Sequence, residues 1–330
     1  MNYNGIKWWT CLICLCSLVL VTACGGTSPS QSSQSESDHA SPTSDSAESH
    51  SDQPIMYTDD YGREVKITGK PQRILGVYLE DPLVALGLTP LLQFNFGGAG
   101  AAYLQRYIAD VPLAGSTPMP APERVLELDP DLIITHSLVL AADKIEPYAK
   151  IAPTYAIDAS TSGWKDILLT IGTLVGESEK AQQLLETYDQ SLSDARERLQ
   201  RQVGTDTFAL VRIANDKDIR LYRTDDPFSG ELLYDDLGLK PAALVETLPE
   251  DGNISISMEV IPQLTADHII LVINDNGKAQ AEELLASPLW QGLPAYQNDQ
   301  IYEVDASLWL SLGYIANTGK IEDLLARTAE

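Results

Sequence analysis

Side chains suited to holding a ligand sit at the ends of short apolar runs in this sequence. Tyr78, Phe94, Phe96, His136, Tyr222, Arg223 and Trp309 each fall at or beyond the end of such a run. In doubly wound sheets ligands bind beyond the carboxyl ends of the strands, so these residues are the candidate walls of a binding cleft. Aromatic faces with a few donors suit binding better than bond cleavage. Arg223 is either a ligand donor or a surface cation. His136 is a satisfied polar residue at a strand end or a ligand contact. Patterns that would signal catalysis are weak. Ser162-Gly163-Trp164-Lys165 has the spacing of a serine–lysine nucleophile pair, yet Lys-Thr-Gly and Ser-Asp-Asn are absent. Gly-x-Ser-x-Gly and His-Glu-x-x-His are absent too. Phe96-Gly97-Gly98-Ala99-Gly100 imitates a dinucleotide loop, but Tyr103 stands where the third glycine belongs. The segment reads as a ligand-side loop or a turn.

The elements that must position these residues alternate between strand and helix. A hairpin is expected around Asp60-Tyr61-Gly62-Arg63. Strands are expected at Arg73 to Val77, Leu91 to Phe94, Leu132 to Ile134 and Thr154 to Ile157, with helices at Asp81 to Leu86 and Glu123 to Leu128. Ala181, Leu184, Leu185, Tyr188, Leu192, Ala195 and Leu199 recur at helical steps, predicting one long helix over 178–200 with Ser178 as its N-cap. The pattern then restarts with strands Phe208 to Ile213, Ile219 to Tyr222, His268 to Ile273 and Gln300 to Val304, the first two joined by a turn over 215–218. The expected fold is α/β: two Rossmann-like lobes, 55–177 and 201–330, of largely parallel sheet, joined by a single long backbone helix with the ligand cleft between them.

The N-terminus has its own chemistry. All four cysteines, Cys11, Cys14, Cys16 and Cys24, lie in the first 24 residues. The remainder of the chain therefore has no disulfide and no thiolate metal site. Lys7 precedes an almost wholly apolar stretch, Trp8 to Val21, which is short for a membrane span and suited to a signal peptide. Val21-Thr22-Ala23-Cys24 looks like a lipobox, so 1–23 is read as signal peptide and Cys24 as the lipidation site. Residues 24–54 form a Ser-rich tether expected to be disordered; His39 and His50 belong to it. The formal charge of −25 argues against nucleic acid as a partner.

Several segments resemble the siderophore, haem and cobalamin binding proteins of ABC importers. They are Thr58 to Val65, Pro71 to Ile74, Ala85 to Pro90, Glu123 to Ile134, Ile151 to Thr154, Leu233 to Leu239, Ile256 to Glu259, Ala266 to Ile270 and Ile301 to Asp305. The resemblance spans nearly all of Tyr57 to Leu325, and the order and spacing of the segments carry it. It implies an extracytoplasmic, lipid-anchored binding protein at the cell membrane, not an enzyme. Such a protein captures a ferric siderophore, preferably of the hydroxamate type, and delivers it to the permease. The alternatives are haem or cobalamin on the same fold, or a lipid-anchored envelope enzyme. No cofactor is implied, because the iron travels within the ligand. Met119, Met258 or His136 are the side chains able to ligate haem. Glu123 and Glu259, each expected to open a helix, are implied to dock one per lobe against permease arginines; as first-turn carboxylates they also suit the helix dipole. Trp309 falls where several family members carry a cleft tryptophan, with core packing as the other reading. Trp164 is read as a packing residue in the helix before the long one. The closing segment Asp305 to Asn317 departs from the family pattern.

Overall fold

The computed structural model describes residues 53–329, apart from 216–217 and 250–253. The signal segment, Cys24, both tether histidines and half of the turn over 215–218 lie outside these residues. The described chain belongs to one compact unit, Ser49–Glu330.

The opening hairpin pairs β1 (Ile55–Thr58) with β2 (Glu64–Ile67) antiparallel. Asp59 stitches it to the body. Its carboxylate accepts from the Tyr61 and Arg63 amides, while Arg63 donates onward to the Thr154 carbonyl. The N-lobe sheet has the order β3 (Ile74–Leu75), β4 (Leu132–His136), β5 (Thr154–Ile157), all parallel. β4 and β5 are buried at every position, as expected of strands covered on both faces. Helices α1 (Glu80–Ala85), α2 (Pro122–Leu128) and α3 (Trp164–Leu174) belong to this lobe. Leu91 to Phe94 forms no strand beyond a single bridge, Gln93 to Leu113. Side chains supplement that bridge: beside the Gln93 backbone bonds to Pro112 and Ala114, the Gln93 side-chain amide donates to the Ile108 and Val111 carbonyls, and the Phe94 backbone amide donates to Glu80.

Helix α4 (Ser178–Gln202) has 25 residues and no Gly or Pro inside. Ala181 is buried in the N-lobe core, while Tyr188, Leu192, Ala195 and Leu199 are buried in the C-lobe core, so a single apolar stripe serves both lobes. Ser178 does not cap it. The Ser178 hydroxyl donates to Thr173 at 3.4 Å, and the N-cap position is Glu177.

The C-lobe sheet contains β6 (Thr207–Asn215), β7 (Asp218–Leu221), β8 (Lys240–Pro241), β9 (Ile254–Ile256), β10 (His268–Ile273) and β11 (Ile301–Val304). Its order is β11-β10-β6-β7-β9, with β8 also paired to β6. It is mixed rather than largely parallel, since β7 runs antiparallel to both β6 and β9. Glu259 opens no α-helix. It lies in an exposed turn before a single 3-10 turn, Ile261–Gln263. Pro262 lacks the N–H that an α-helix would direct to the Met258 carbonyl.

A second connection between the lobes was not visible in the sequence. Helix α5 (Tyr314–Arg327) packs Ile321, Leu324 and Leu325 into the C-lobe core. Its N-terminus is capped by Asp81 of the N-lobe, whose carboxylate accepts from the Ile315 amide at 3.0 Å and the Ala316 amide at 2.8 Å. An acid at this position satisfies amides that have no partner within the helix and complements the helix dipole. Gly313 makes the approach possible. Its φ is 136°, and a Cβ there would lie 2.2 Å from Asp81 Oδ1. Gly204 also has positive φ but nothing within 4 Å. Gly204→Ala should therefore cost about 1 kcal/mol of backbone strain, and Gly313→Ala at least about 2–3 kcal/mol, because the cap is displaced as well. Urea unfolding measures both; equal losses would contradict this account of Gly313.

Candidate functional site

A cavity of about 590 Å³ lies between the lobes. Its N-lobe wall is aromatic and held from behind by Glu80. Tyr78 adopts φ 66°, a conformation that bulky residues rarely take. Glu80 Oε1 accepts from the Tyr78 amide at 2.9 Å and the Phe94 amide at 2.7 Å, fixing two parts of the wall at once. Burial pushes the Glu80 carboxyl up to about 7 against the pull of those amides. Tyr78 meets Phe94 edge-on at 4.9 Å, Phe94 meets Phe96 at 4.7 Å, and Tyr78 lies 5.6 Å from the His136 ring. Phe96 is carried on a tight turn in which Gly97 and Gly98 both have positive φ and Phe96 N–H donates to the Ala99 carbonyl.

His136 ends β4 and is 3% exposed. Its Nδ1 accepts the Leu138 amide at 3.3 Å. The neutral ring therefore carries its proton on Nε2, a donor for a ligand oxygen. Burial lowers the His136 pKa to about 4, so the ring is neutral at physiological pH.

Tyr78, Phe96 and His136 line the cavity, as the strand-end rule anticipates; Phe94 stands behind them. The rule misplaces three residues. Tyr222 is buried, its amide donating to the Leu210 carbonyl and its hydroxyl accepting from Arg212 at 3.2 Å. Arg223 forms a two-point pair with Asp225, both contacts at 2.6 Å, and donates to the Leu248 carbonyl. Both residues follow β7. Because β7 is antiparallel to β6, its carboxyl end points away from the end where parallel strands present ligands. Trp309 is fully buried in the C-lobe core, its Nε1 donating to Asp323 at 2.8 Å.

The structure adds residues the sequence reading passed over. Arg212 lies near the carboxyl end of β6, the one cation in an otherwise apolar run, Phe208 to Ile213. Asn274 and Tyr222 fix its guanidinium. Its charge opposes the rise that burial and Glu80 impose on the Tyr78 hydroxyl, and it stands outside the residues that line the cavity. Trp164 both lines the cavity and packs edge-on against Tyr188 at 4.8 Å. Tyr103, Phe228 and Glu231 also line it, as do Glu80, Asp81 and Asp225. Behind it, fully buried Lys320 donates to the carbonyls of Phe228 and Ser311 and to Asn317. Desolvation lowers Lys320 to about 7, partly opposed by Asp81 and Asp226.

Rival chemistries find little support in the geometry. Ser162 donates to Asp60 and Lys165 pairs with Asp189, so the two do not form a nucleophile pair. Met119 packs in the N-lobe core. Among the described residues, no three His, Cys, Asp or Glu side chains converge on a metal site.

The neutral His136 ring implies a pH dependence. Its folded pKa of about 4 lies below the unfolded value near 6.5. The unfolded chain thus binds the extra proton between those values, and stability falls as pH drops from 6.5 to 4. Glu80 and Asp81, with raised values, act in the opposite sense, so the comparison is with His136→Gln. Relative to that variant the native protein should lose roughly 2–3 kcal/mol across this window in urea unfolding. Parallel pH profiles would contradict a buried neutral ring.

Comparisons with known proteins agree with this architecture. The Bacillus subtilis iron(3+)-hydroxamate-binding protein FhuD is 29% identical over 61% of this chain and 63% of its own length, just under two thirds. The probable siderophore-binding lipoprotein YfiY of the same organism is 29% identical over 77% of this chain and 81% of its own. The crystal structure of Staphylococcus aureus SirA complexed with staphyloferrin B superposes with a TM-score of 0.69 at 25% identity, covering 83% of this chain and 98% of that one. A family model described as periplasmic binding protein matches residues 99–308. With two sheet-bearing lobes, a long connecting helix and a cleft between them, the chain belongs to the periplasmic binding protein family and is a binding protein rather than an enzyme.

Proposed function

We propose that this protein captures a ferric siderophore of the hydroxamate type outside the cytoplasm and passes it to the permease of an ABC importer. The observation that carries this reading is the pairing of the Tyr78–Phe94–Phe96 wall with the Nε2–H donor of His136 at one cavity. A ferric trihydroxamate arrives with its iron already six-coordinate. It needs apolar walls and donors to its oxygens, not protein ligands to the metal, and no resident cofactor. The names of the relatives, among them the hydroxamate-binding FhuD and the lipoprotein YfiY, support the same ligand class. Haem fits less well. A histidine that ligates iron through Nε2 donates Nδ1–H to an acceptor, whereas His136 Nδ1 faces the Leu138 amide, itself a donor.

Delivery needs a membrane position and a docking surface. Removal of residues 1–23 and lipidation of Cys24 would supply the anchor. Among the described residues no helix is long and apolar enough to cross a membrane. Glu123 in the first turn of α2 and Glu259 in the turn after β9 are both exposed, one on each lobe. Only Glu123 sits where a helix dipole could account for it, so docking is the reading that explains both.

The double variant Glu123→Lys, Glu259→Lys tests delivery. Ligand affinity of the purified protein should stay within twofold of native, while uptake by cells falls at least tenfold. Normal uptake would reject docking, and lost ligand binding would move these residues into the pocket. Cys24→Ser tests anchoring: the protein should leave the membrane fraction and lose acyl labelling. Retention of both would reject Cys24 as the lipidated residue.

A further inference from the structure

We propose that the C-lobe side of the cavity is a subsite for a cationic group with the Glu231 carboxylate as its counter-ion. The protein would then favour ferric trihydroxamates bearing a free ammonium over uncharged ones. This rests on the siderophore reading and narrows it.

Glu231 lines the cavity and begins a π-helical turn, Glu231–Asp236, a distortion that recurs where a helix serves a site. Its neighbours have partners. Asp225 is matched by Arg223, Asp226 accepts from the Phe228 and Ser229 amides, and Asp236 accepts from the Tyr188 hydroxyl. Glu231 itself is exposed, and its carboxylate meets no protein donor among the described residues, which leaves it open to a ligand. Burial raises its pKa, and Asp235, Asp236, Asp226 and Asp225 add to the rise, so the field at this point is negative. Among the described residues, no lysine or arginine lines the cavity. Trp164 and Phe228 share the lining, and their ring faces attract a cation.

An independent observation places the rest of the ligand. His136 is 3% exposed, lines the same cavity and presents an Nε2–H with no protein acceptor among the described residues. That donor calls for a ligand oxygen. It sets the chelate against the N-lobe wall and leaves the ligand's far end for Glu231. A siderophore whose chelate is neutral and whose tail ends in an ammonium matches both ends. A tricarboxylate or tricatecholate chelate brings surplus negative charge toward Glu231.

The test titrates the full-length protein in detergent with two probes, following tryptophan and tyrosine fluorescence. One probe is a linear ferric trihydroxamate with a free terminal ammonium; the other is the same chelate N-acetylated at that amine. The native protein should bind the ammonium form about five- to tenfold more tightly. Glu231→Gln should bind both forms alike, at the native affinity for the acetylated one, and Glu231→Ala should repeat this. Equal affinities in the native protein, or a preference that survives both substitutions, would overturn the subsite and leave the siderophore reading standing. Binding of neither form, with haem or cobalamin bound instead, would overturn both.

Discussion

The Asp81 carboxylate at the N-terminus of α5 is the contact on which the geometry of the cleft depends. Helix α4 ties the lobes together in sequence and packs into both cores, but it contacts them along one edge of the cleft. Asp81 supplies the second constraint. It belongs to the N-lobe, and the amides it satisfies belong to a helix whose other end is packed in the C-lobe core. The acid is fully enclosed: burial raises its pKa to about 6, against the amides and Tyr103, which favour the charged form. A buried acid in this position is costly unless its partners are present, so any shift of α5 that keeps Asp81 buried but breaks these bonds is penalised.

The neighbouring acid has a different task. Glu80 faces its own lobe and holds the Tyr78 and Phe94 amides, so the aromatic wall is built before any ligand arrives. Two consecutive carboxylates at the start of α1 thus set two things: the shape of one wall and its position relative to the other. Lys320 extends the arrangement by pinning the carbonyls of Phe228 and Ser311, both from residues that line the cavity. The cleft is preorganised by buried polar groups, and the ligand meets mostly rings and a few fixed donors.

Much of the scaffold was legible in the sequence because it rests on periodicity. The stripe from Ala181 to Leu199 marks α4, and the apolar runs at 132–134, 154–157 and 268–273 mark buried parallel strands. The cleft was legible only in part. The strand-end rule locates Tyr78 and His136 because β3 and β4 run parallel in one sheet, and Phe96 because the run before it, though no strand, follows the same direction. It fails for Tyr222 and Arg223 because the reversed direction of β7 cannot be read from an apolar run. Glu80 and Asp81 read as ordinary first-turn acids, since nothing local shows that one holds a remote loop and the other caps a helix more than two hundred residues away. The Glu259 expectation failed for a local reason, the missing N–H of Pro262.

The central claim is that a preformed cleft receives iron already wrapped in its chelate. Crystals of the protein with a ferric trihydroxamate, measured at the iron absorption edge, test it most directly. The account predicts one anomalous peak inside the cavity, against the Tyr78–His136 wall, with every iron ligand supplied by the chelate and the Asp81 contact to α5 retained. A peak bonded to a protein side chain, or one outside the cleft, would contradict it.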